Sequence, residues 1–395
     1  MSLLLLVLAC AVFAQATSEF MLAGLVAEIA AEFGVPLAVA GGLTSAFAVG
    51  MVLGAPLMAL GARRLPPRIA LSAFLSMFVA AHILGALTSA FTVLLVTRVL
   101  AAFANAGFLA VALAVAVRSV PPERTARATA MLLSGTTLAL IVGVPVGALI
   151  GQLAGWRATF WVVSALAALA MTVIPIVAMP SPPAGPGRSV AAEFAVLRRP
   201  ALVLTLLVAV LVNAGTFSVY TYLGPLLTGA GDAPSGVVPI ALAVFGIGAF
   251  VGVTVAARIA DAHYRGLVVA GGAALLAGWV AMGLVSSVAT LVVVLAGVMG
   301  LVAFAVGSGV IGRSLALAPD APTLGGSFTT AALNIGAAVG PLAGGAALAT
   351  SRTGPVWIAA VTVAVAAIPA ALVVNTGVGH SAAQGDAGGG ALPRP

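Results

Sequence analysis

The 395-residue chain has no lysine, one cysteine, three histidines and only nine acidic side chains. A lone cysteine, Cys10, excludes an internal disulfide framework and a thiolate metal cluster. The histidines, His82, His263 and His380, lie far apart, and no nucleophile–base constellation or phosphate loop is legible. The chain is therefore not read as an enzyme; no metal and no cofactor are expected, and nucleotide hydrolysis cannot be its energy source. The scarcity of charge excludes most. Charged residues are 6% of the chain against 62% hydrophobic, with a mean hydropathy of +1.25, which no soluble globular chain tolerates and a polytopic membrane protein requires. A net charge of +7 would suggest nucleic acid in a soluble protein; here topology explains it, and no nucleic-acid partner is expected.

A membrane span needs about 20 mostly apolar residues. The uncharged intervals 33–62, 128–156, 158–187, 200–231, 233–257, 321–351 and 353–385 hold one span each. Residues 69–117 and 266–312 hold two each, with breaks near Thr88 and Ser286. Residues 3–29 lack a basic start and are read as a first helix rather than a cleaved leader. The sum is twelve. With both termini cytoplasmic, the inner segments collect Arg63, Arg64, Arg68, Arg118, Arg124, Arg127, Arg188, Arg198, Arg199, Arg258, Arg265, Arg313 and Arg394. The outer loops hold only Arg157 and Arg352, with Glu28, Glu32 and Asp232, an asymmetry that supports both the count and the orientation.

The Pro-rich segment 180–200 is a cytoplasmic linker with a surface helix expected over 190–198. It separates a six-helix bundle over 1–179 from a second over 201–376, and a Gly-rich tail over 377–395 is expected to be disordered. The halves repeat each other. Gly135, Ala139, Gly143, Gly147 and Gly151 recur every four residues around Pro145; Gly336, Gly340 and Gly344 do so around Pro341, 193 residues later. The arginine loops GARRLPPR (61–68) and AARIADAHYR (256–265) lie at an offset of 194 between Arg64 and Arg258. Two features at one offset indicate duplication, as in transporters built from repeats. The small-residue ridges let helix backbones approach closely, each proline is expected to bend its helix, and a ridge of this type suits a contact that must rock rather than merely hold.

Only Glu19 and Arg98 place charge deep inside spans. A carboxylate there costs roughly 2.5–3.5 kcal/mol and usually serves a function. At 1.5 Å per residue, Glu19 lies about 12 Å and Arg98 about 10 Å below the same surface, so the two can face each other across the first half. Burial penalises a charged carboxylate and a guanidinium stabilises it, an opposition suited to reversible protonation. Gln15, Glu19 and Leu22 share one helical face, as do Arg98, Ala102 and Asn105. Asn213, Phe217 and Tyr220 align on the seventh span, and Ser327, Thr330 and Asn334 on the eleventh. Aromatic surface with a few hydrogen-bonding groups suits a neutral ring-bearing ligand, although each of these residues could equally serve interhelical packing. His82 reads as a packing residue.

The sequence LSGTTLALIVGVPVGALIG (133–151) resembles the fifth-span signature of twelve-span drug:proton antiporters in the major facilitator superfamily. LLVTRVLAAFANAGFLAVAL (94–113) is similar to the family's fourth-span motif with its buried arginine, and GWRATFW (155–161) to the turn before the sixth span. GARRLPPR lacks the aspartate usual in its loop, whereas the second-half copy has Asp261. TSEFMLAGL (17–25), TSAFAVGMVLGAP (44–56), ANAGFLAVAL (104–113) and TAALNIGAAVGP (330–341) resemble the chloramphenicol-resistance exporters of that superfamily, with sugar-efflux proteins the nearest cousins. The resemblance implies two six-helix halves related by a pseudo-two-fold axis, and a monomer in the bacterial cytoplasmic membrane. It also implies a drug as substrate, exported by alternating access, with the proton gradient as energy source and Glu19 and Arg98 as the coupling pair. A sugar or metabolite exporter of the same fold is the alternative.

Overall fold

The computed structural model describes residues 3–61, 65–176, 190–229, 234–321 and 324–376. The tail over 377–395 and Arg63, Arg64, Arg188 and Asp232 lie outside them. The described chain is all helix, with twelve helical segments long and apolar enough to cross a membrane. In the first half these lie in α1 (Leu3–Phe20), α3 (Leu37–Gly61), α4 (Pro67–Leu87), α5 (Phe91–Arg118), α6 and α7 together (Thr125–Leu138 and Val144–Ala154) and α8 (Trp156–Val173). In the second half they lie in α10 (Pro200–Thr221), α12 (Val237–Leu284), α13 (Ala289–Leu317), α14 (Gly325–Leu348) and α15 (Gly354–Thr376). The long α12 is two spans, Val237–Ile259 and His263–Leu284, parted where His263 leaves helical geometry at φ −131° and ψ 33°.

The expected first helix is longer than 3–29 and is broken. α1 ends at Phe20 and a short α2 (Leu22–Phe33) continues past Met21, whose N–H still bonds Thr17 O at 2.8 Å. Gly34 stops α2 in the left-handed region, φ 62°, where a side chain would be strained. Pro67 and Pro200 start α4 and α10 at positions where the missing N–H has no helical partner to lose. The linker helix α9 (Val190–Phe194) and a following 3-10 turn, Ala195–Arg198, occupy the expected place. Buried Glu193 accepts the Leu324 N–H at 2.7 Å, fixing this segment beside the start of α14.

The prolines act differently from each other. Before Pro145 the helix widens into a π turn, Ala139–Gly143, whereas Pro341 sits inside an uninterrupted α14. Each glycine ridge packs within its own half. Gly135 packs on Ala9 and Phe13, Gly143 on Thr17, Gly147 near Met21 and Gly151 on Leu25, so this ridge seats α1 and α2 within the first half. Gly336 and Gly340 pack on the α10 backbone near Asn213 and Ala214, and Gly344 on Ser218, seating α10 within the second half. The arrangement repeats between halves, the first span on the fifth and the seventh on the eleventh.

A second repeated pair went unread in the sequence. Gly50 and Gly54 of α3 meet α5 at Val99, Ala102 and Phe103; Gly248 and Gly252 of α12 meet α13 at Gly297 and Leu301.

The halves meet through other faces, α3 along α14 and the π turn with α7 against the first part of α12. At the arginine-poor end the join is hydrogen-bonded. Ser45 Oγ donates to Ala338 O at 2.7 Å, and Gln152 Nε2 to Ser235 O at 2.8 Å. Tyr222, between α10 and a short α11 (Leu223–Thr228), lies against Gly41 and Gly345 and donates to Pro341 O at 2.8 Å. Net hydrogen-bond contributions are about 0.5–1.5 kcal/mol each. Removing the two cross-half bonds with Ser45→Ala and Gln152→Ala should therefore open this end more often. The expected result is a roughly tenfold faster reaction of Thr44→Cys, in a Cys10→Ser background, with an impermeant maleimide added outside; an unchanged rate would assign the closure to packing alone.

Candidate functional site

Two apolar cores flank the site. Leu4, Leu8, Ala11, Leu22 and Leu25 belong to the first-half core, with Phe47, Phe78, Phe108 and Phe160. Ala16, Phe20 and Ala23, from another face of α1 and α2, instead join the core that continues into the second half. Glu19 stands between these faces, partly buried.

Its carboxylate accepts Asn105 Nδ2 at 3.2 Å, and the same nitrogen lies 3.6 Å from Met51 Sδ. Asn105 is two turns beyond Arg98 on α5, the spacing that aligns them. Glu19 and Arg98, expected to face each other across the first half, are not joined by an ion pair among the described residues. Arg98, 1% exposed, donates NH1 to Ser18 Oγ at 2.8 Å and NH2 to Ser18 O at 2.7 Å. Its guanidinium lies 4.6 Å from the centre of the Phe47 ring and 5.8 Å from that of Phe160. Adjacent residues on a helix point about 100° apart, so a side chain bound to Ser18 is turned away from the direction Glu19 takes.

Ser18 Oγ is also 2.6 Å from His82 Nε2, while His82 Nδ1 is 2.8 Å from Phe78 O. A carbonyl only accepts, so Nδ1 carries a proton; arginine only donates, so Ser18 Oγ accepts from it. The serine proton then goes to His82 Nε2, which gives one directed chain from Arg98 through Ser18 and His82 to Phe78 O. Phe78 and Phe160 hold the imidazole with ring centroids 4.1 and 5.5 Å away. Packing is thus part of what His82 does, and the sequence signal for the rest was only its placement in a span. Ser18, in the string TSEF, carries no sequence signal of its own beside the charge of Glu19.

The proposed ligand-facing residues divide. Phe217 and Tyr220 meet at the midline with Phe20, at ring distances of 6.0 and 6.3 Å from it, and Tyr220 continues to Phe245 at 4.8 Å and through it to Phe304. Nothing in the sequence singles out Phe20, Phe245 and Phe304, because an aromatic residue in a span carries no mark of which face it takes. The structure places the others as follows. Leu22, 2% exposed, is in the first-half core, one helical turn beyond Ser18 on the face that Ser18 turns to Arg98. Asn213 Nδ2 is bound to Leu333 O at 2.6 Å, joining α10 to α14 beside the glycine ridge. Asn334 Nδ2 turns back to Thr330 O at 3.0 Å within its own helix. Gln15 is fully enclosed, and neither amide atom has a partner. Thr330 is partly buried.

The void beside Tyr220, between Val219, Leu223, Phe245, Trp279, Met282 and Ala296, is about 10 Å³, room for one water. Drug-sized ligands need pockets of roughly 300 Å³ or more, so the rings must part before one enters between them. At the arginine-poor end, outside the spans, Glu32 accepts Trp156 Nε1 at 2.6 Å and pairs with Arg157. That hydrogen bond from Arg157 holds its carboxyl below the usual range, whereas burial pushes Glu28 up. No group of metal-ligating side chains occurs among the described residues.

Residues 8–319 match the family model of the Major Facilitator Superfamily. The chain is 46% identical over 390 residues to a chloramphenicol resistance protein of Streptomyces lividans, covering 95% of this chain and 98% of that one. It is 32% identical over 344 residues to the inner membrane transport protein YdhP of Escherichia coli K12, covering 87% and 88%. Among solved structures, a bacterial homologue of the human lysosomal transporter Spinster, in an inward-facing and unoccupied conformation, superposes with a TM-score of 0.72 at 18% identity, over 94% of this chain and 95% of that one. A point mutant of the nucleoside transporter NupG gives 0.72 at 13% identity, over 94% and 98%. Those two likenesses are of fold.

Proposed function

The chain belongs to the major facilitator superfamily, and from that premise we propose that it exports chloramphenicol or a related amphenicol by proton-coupled alternating access in the bacterial cytoplasmic membrane. That it is a multi-pass membrane transporter for small molecules, rather than an enzyme, follows from the family itself. The drug is inferred from the 46% identity to the chloramphenicol resistance protein along nearly the full length of both chains. The observation that carries the coupling is Glu19: a partly buried carboxyl in the first span, held by Asn105 and left unpaired by the neighbouring guanidinium.

In this reading the arginine-poor end faces outward, and the hydrogen bonds from Ser45 and Gln152 close it. Drug enters from the cytoplasm or inner leaflet and parts the rings of Phe20, Phe217, Tyr220 and Phe245. A neutral nitroaromatic suits these π faces and their small number of polar neighbours. Glu19, protonated while open outward, releases its proton inward as drug loads. The proton gradient then drives the drug out. No cofactor enters the cycle.

The test is uptake of labelled chloramphenicol by a sensitive strain expressing the protein, with and without a protonophore. Lower accumulation that the protonophore abolishes supports the reading. Unchanged accumulation would remove the drug, and exclusion that survives the protonophore would remove the coupling.

A further inference from the structure

The geometry points to Ser18 and His82 as positioning residues that hold the Arg98 guanidinium beside Glu19 without letting it neutralise the carboxylate. The inference rests on the proton-coupling role of Glu19 given above and adds the device that sets its electrostatic partner.

Three observations carry it. All three members of the chain are sealed from solvent: Ser18 is 0% exposed, His82 1% and Arg98 1%. The hydrogen bonds from Arg98 to Ser18 Oγ and O, at 2.8 and 2.7 Å, use both terminal nitrogens, while Nε has no partner. The 2.6 Å contact of Ser18 with His82 and the 2.8 Å bond of His82 to Phe78 O fix the direction of the serine hydroxyl. Its lone pair therefore faces the arginine.

If the hydroxyl is removed, NH1 is left as an unsatisfied charged donor in an apolar core, which is costly. The anionic acceptor one residue along the same helix is Glu19. An ion pair formed there would hold the carboxylate in its charged form and oppose proton uptake. Other titratable groups are few. α5 supplies Arg98, α4 supplies His82, and α10 supplies Tyr220 behind Phe20; α3 has none, and the remaining arginines of α5, α4, α8 and the fifth span, Arg118, Arg68, Arg157 and Arg127, lie at the ends of those elements. A guanidinium free to reach Glu19 is thus the main local change that the Ser18 substitution makes.

The experiment is an infrared pH titration of purified full-length protein, with the carboxyl band of Glu19 assigned by its loss in Glu19→Gln. In Ser18→Ala and in His82→Leu the midpoint should fall by about one pH unit or more. His82→Gln, which keeps an acceptor for the serine hydroxyl, should restore most of the wild-type profile. A midpoint in folded Ser18→Ala that matches wild type, or one that rises, overturns the proposal; should His82→Leu fail to fold, Ser18→Ala decides alone. The titration needs no drug, so a wild-type protein that fails to export chloramphenicol removes the substrate reading and leaves this test standing. An active exporter with an unmoved titration removes only the positioning role.

Discussion

Glu19→Gln is expected to leave the protein folded in the membrane while uphill export of labelled chloramphenicol falls to the background of cells lacking it. Glutamine is nearly isosteric, and its side-chain oxygen can still accept Asn105 Nδ2, now at 3.2 Å from the carboxylate. The surrounding contacts are therefore retained, and what disappears is a proton that can come and go. Because Arg98 is engaged by Ser18 rather than by Glu19, the substitution leaves no arginine stripped of its partner, so stability should change little. Downhill drug exchange should persist, since the rings of Phe20, Phe217 and Tyr220 are untouched. The measurement is drug accumulation in energised cells beside counterflow in vesicles. Full resistance in the variant at normal expression would mean that the carboxyl does not couple.

Gly340→Ala is expected to cost most of the folded protein. A β-carbon built at Gly340 stands 3.0 Å from both the carbonyl carbon of Ala214 and the amide nitrogen of Ser218. Both are backbone atoms of α10, which cannot move aside as a side chain would. Overpacking of this kind costs about 1–3 kcal/mol even where side chains can adjust. Gly326, near the start of the same helix, has nothing within 4 Å of its β-carbon position, so Gly326→Ala serves as control and should be neutral or slightly stabilising. Monodisperse yield and thermal unfolding in detergent, compared between the two, give the answer. Equal behaviour would show that α10 and α14 are not held by close backbone contact.

Much of the fold was legible because a bilayer restricts what a chain can do. Uninterrupted apolar length located every span, and even the division inside α12 fell at the arginine-rich loop around His263. The site was legible in a different degree. Charge in an apolar segment is conspicuous, so Glu19 and Arg98 stood out, and the alignment of Asn105 with Arg98 followed from helical period. Where each side chain turns was not legible. Ser18 competes with Glu19 for the arginine, and nothing in the string TSEF says that it wins. Asn213 and Asn334 were assigned to a ligand, yet backbone carbonyls within hydrogen-bonding reach satisfy them first. The glycine ridges were visible by spacing, but spacing alone does not name the opposing helix; Ala9, Thr17 and Leu25 do, and only once the helices are packed.

The π turn over Ala139–Gly143 has a consequence for the register of the fifth span. On an ordinary α-helix, residues four apart creep around the axis by about 40° per step, so five small residues spaced by four would spiral off any straight contact line. One wider turn in the middle slows that creep, and Gly135 and Gly151, sixteen positions apart, both still abut the helices of the first span, at Ala9 and Leu25. Excising a single residue such as Val142 while the turn rewinds to α geometry removes about 100° of rotation and restores about as much, so the faces beyond it stay where they are. Gly147 and Gly151 would keep Met21 and Leu25, so a one-residue deletion in the π turn should be better tolerated than a one-residue deletion in the middle of α14, where no wider turn absorbs it.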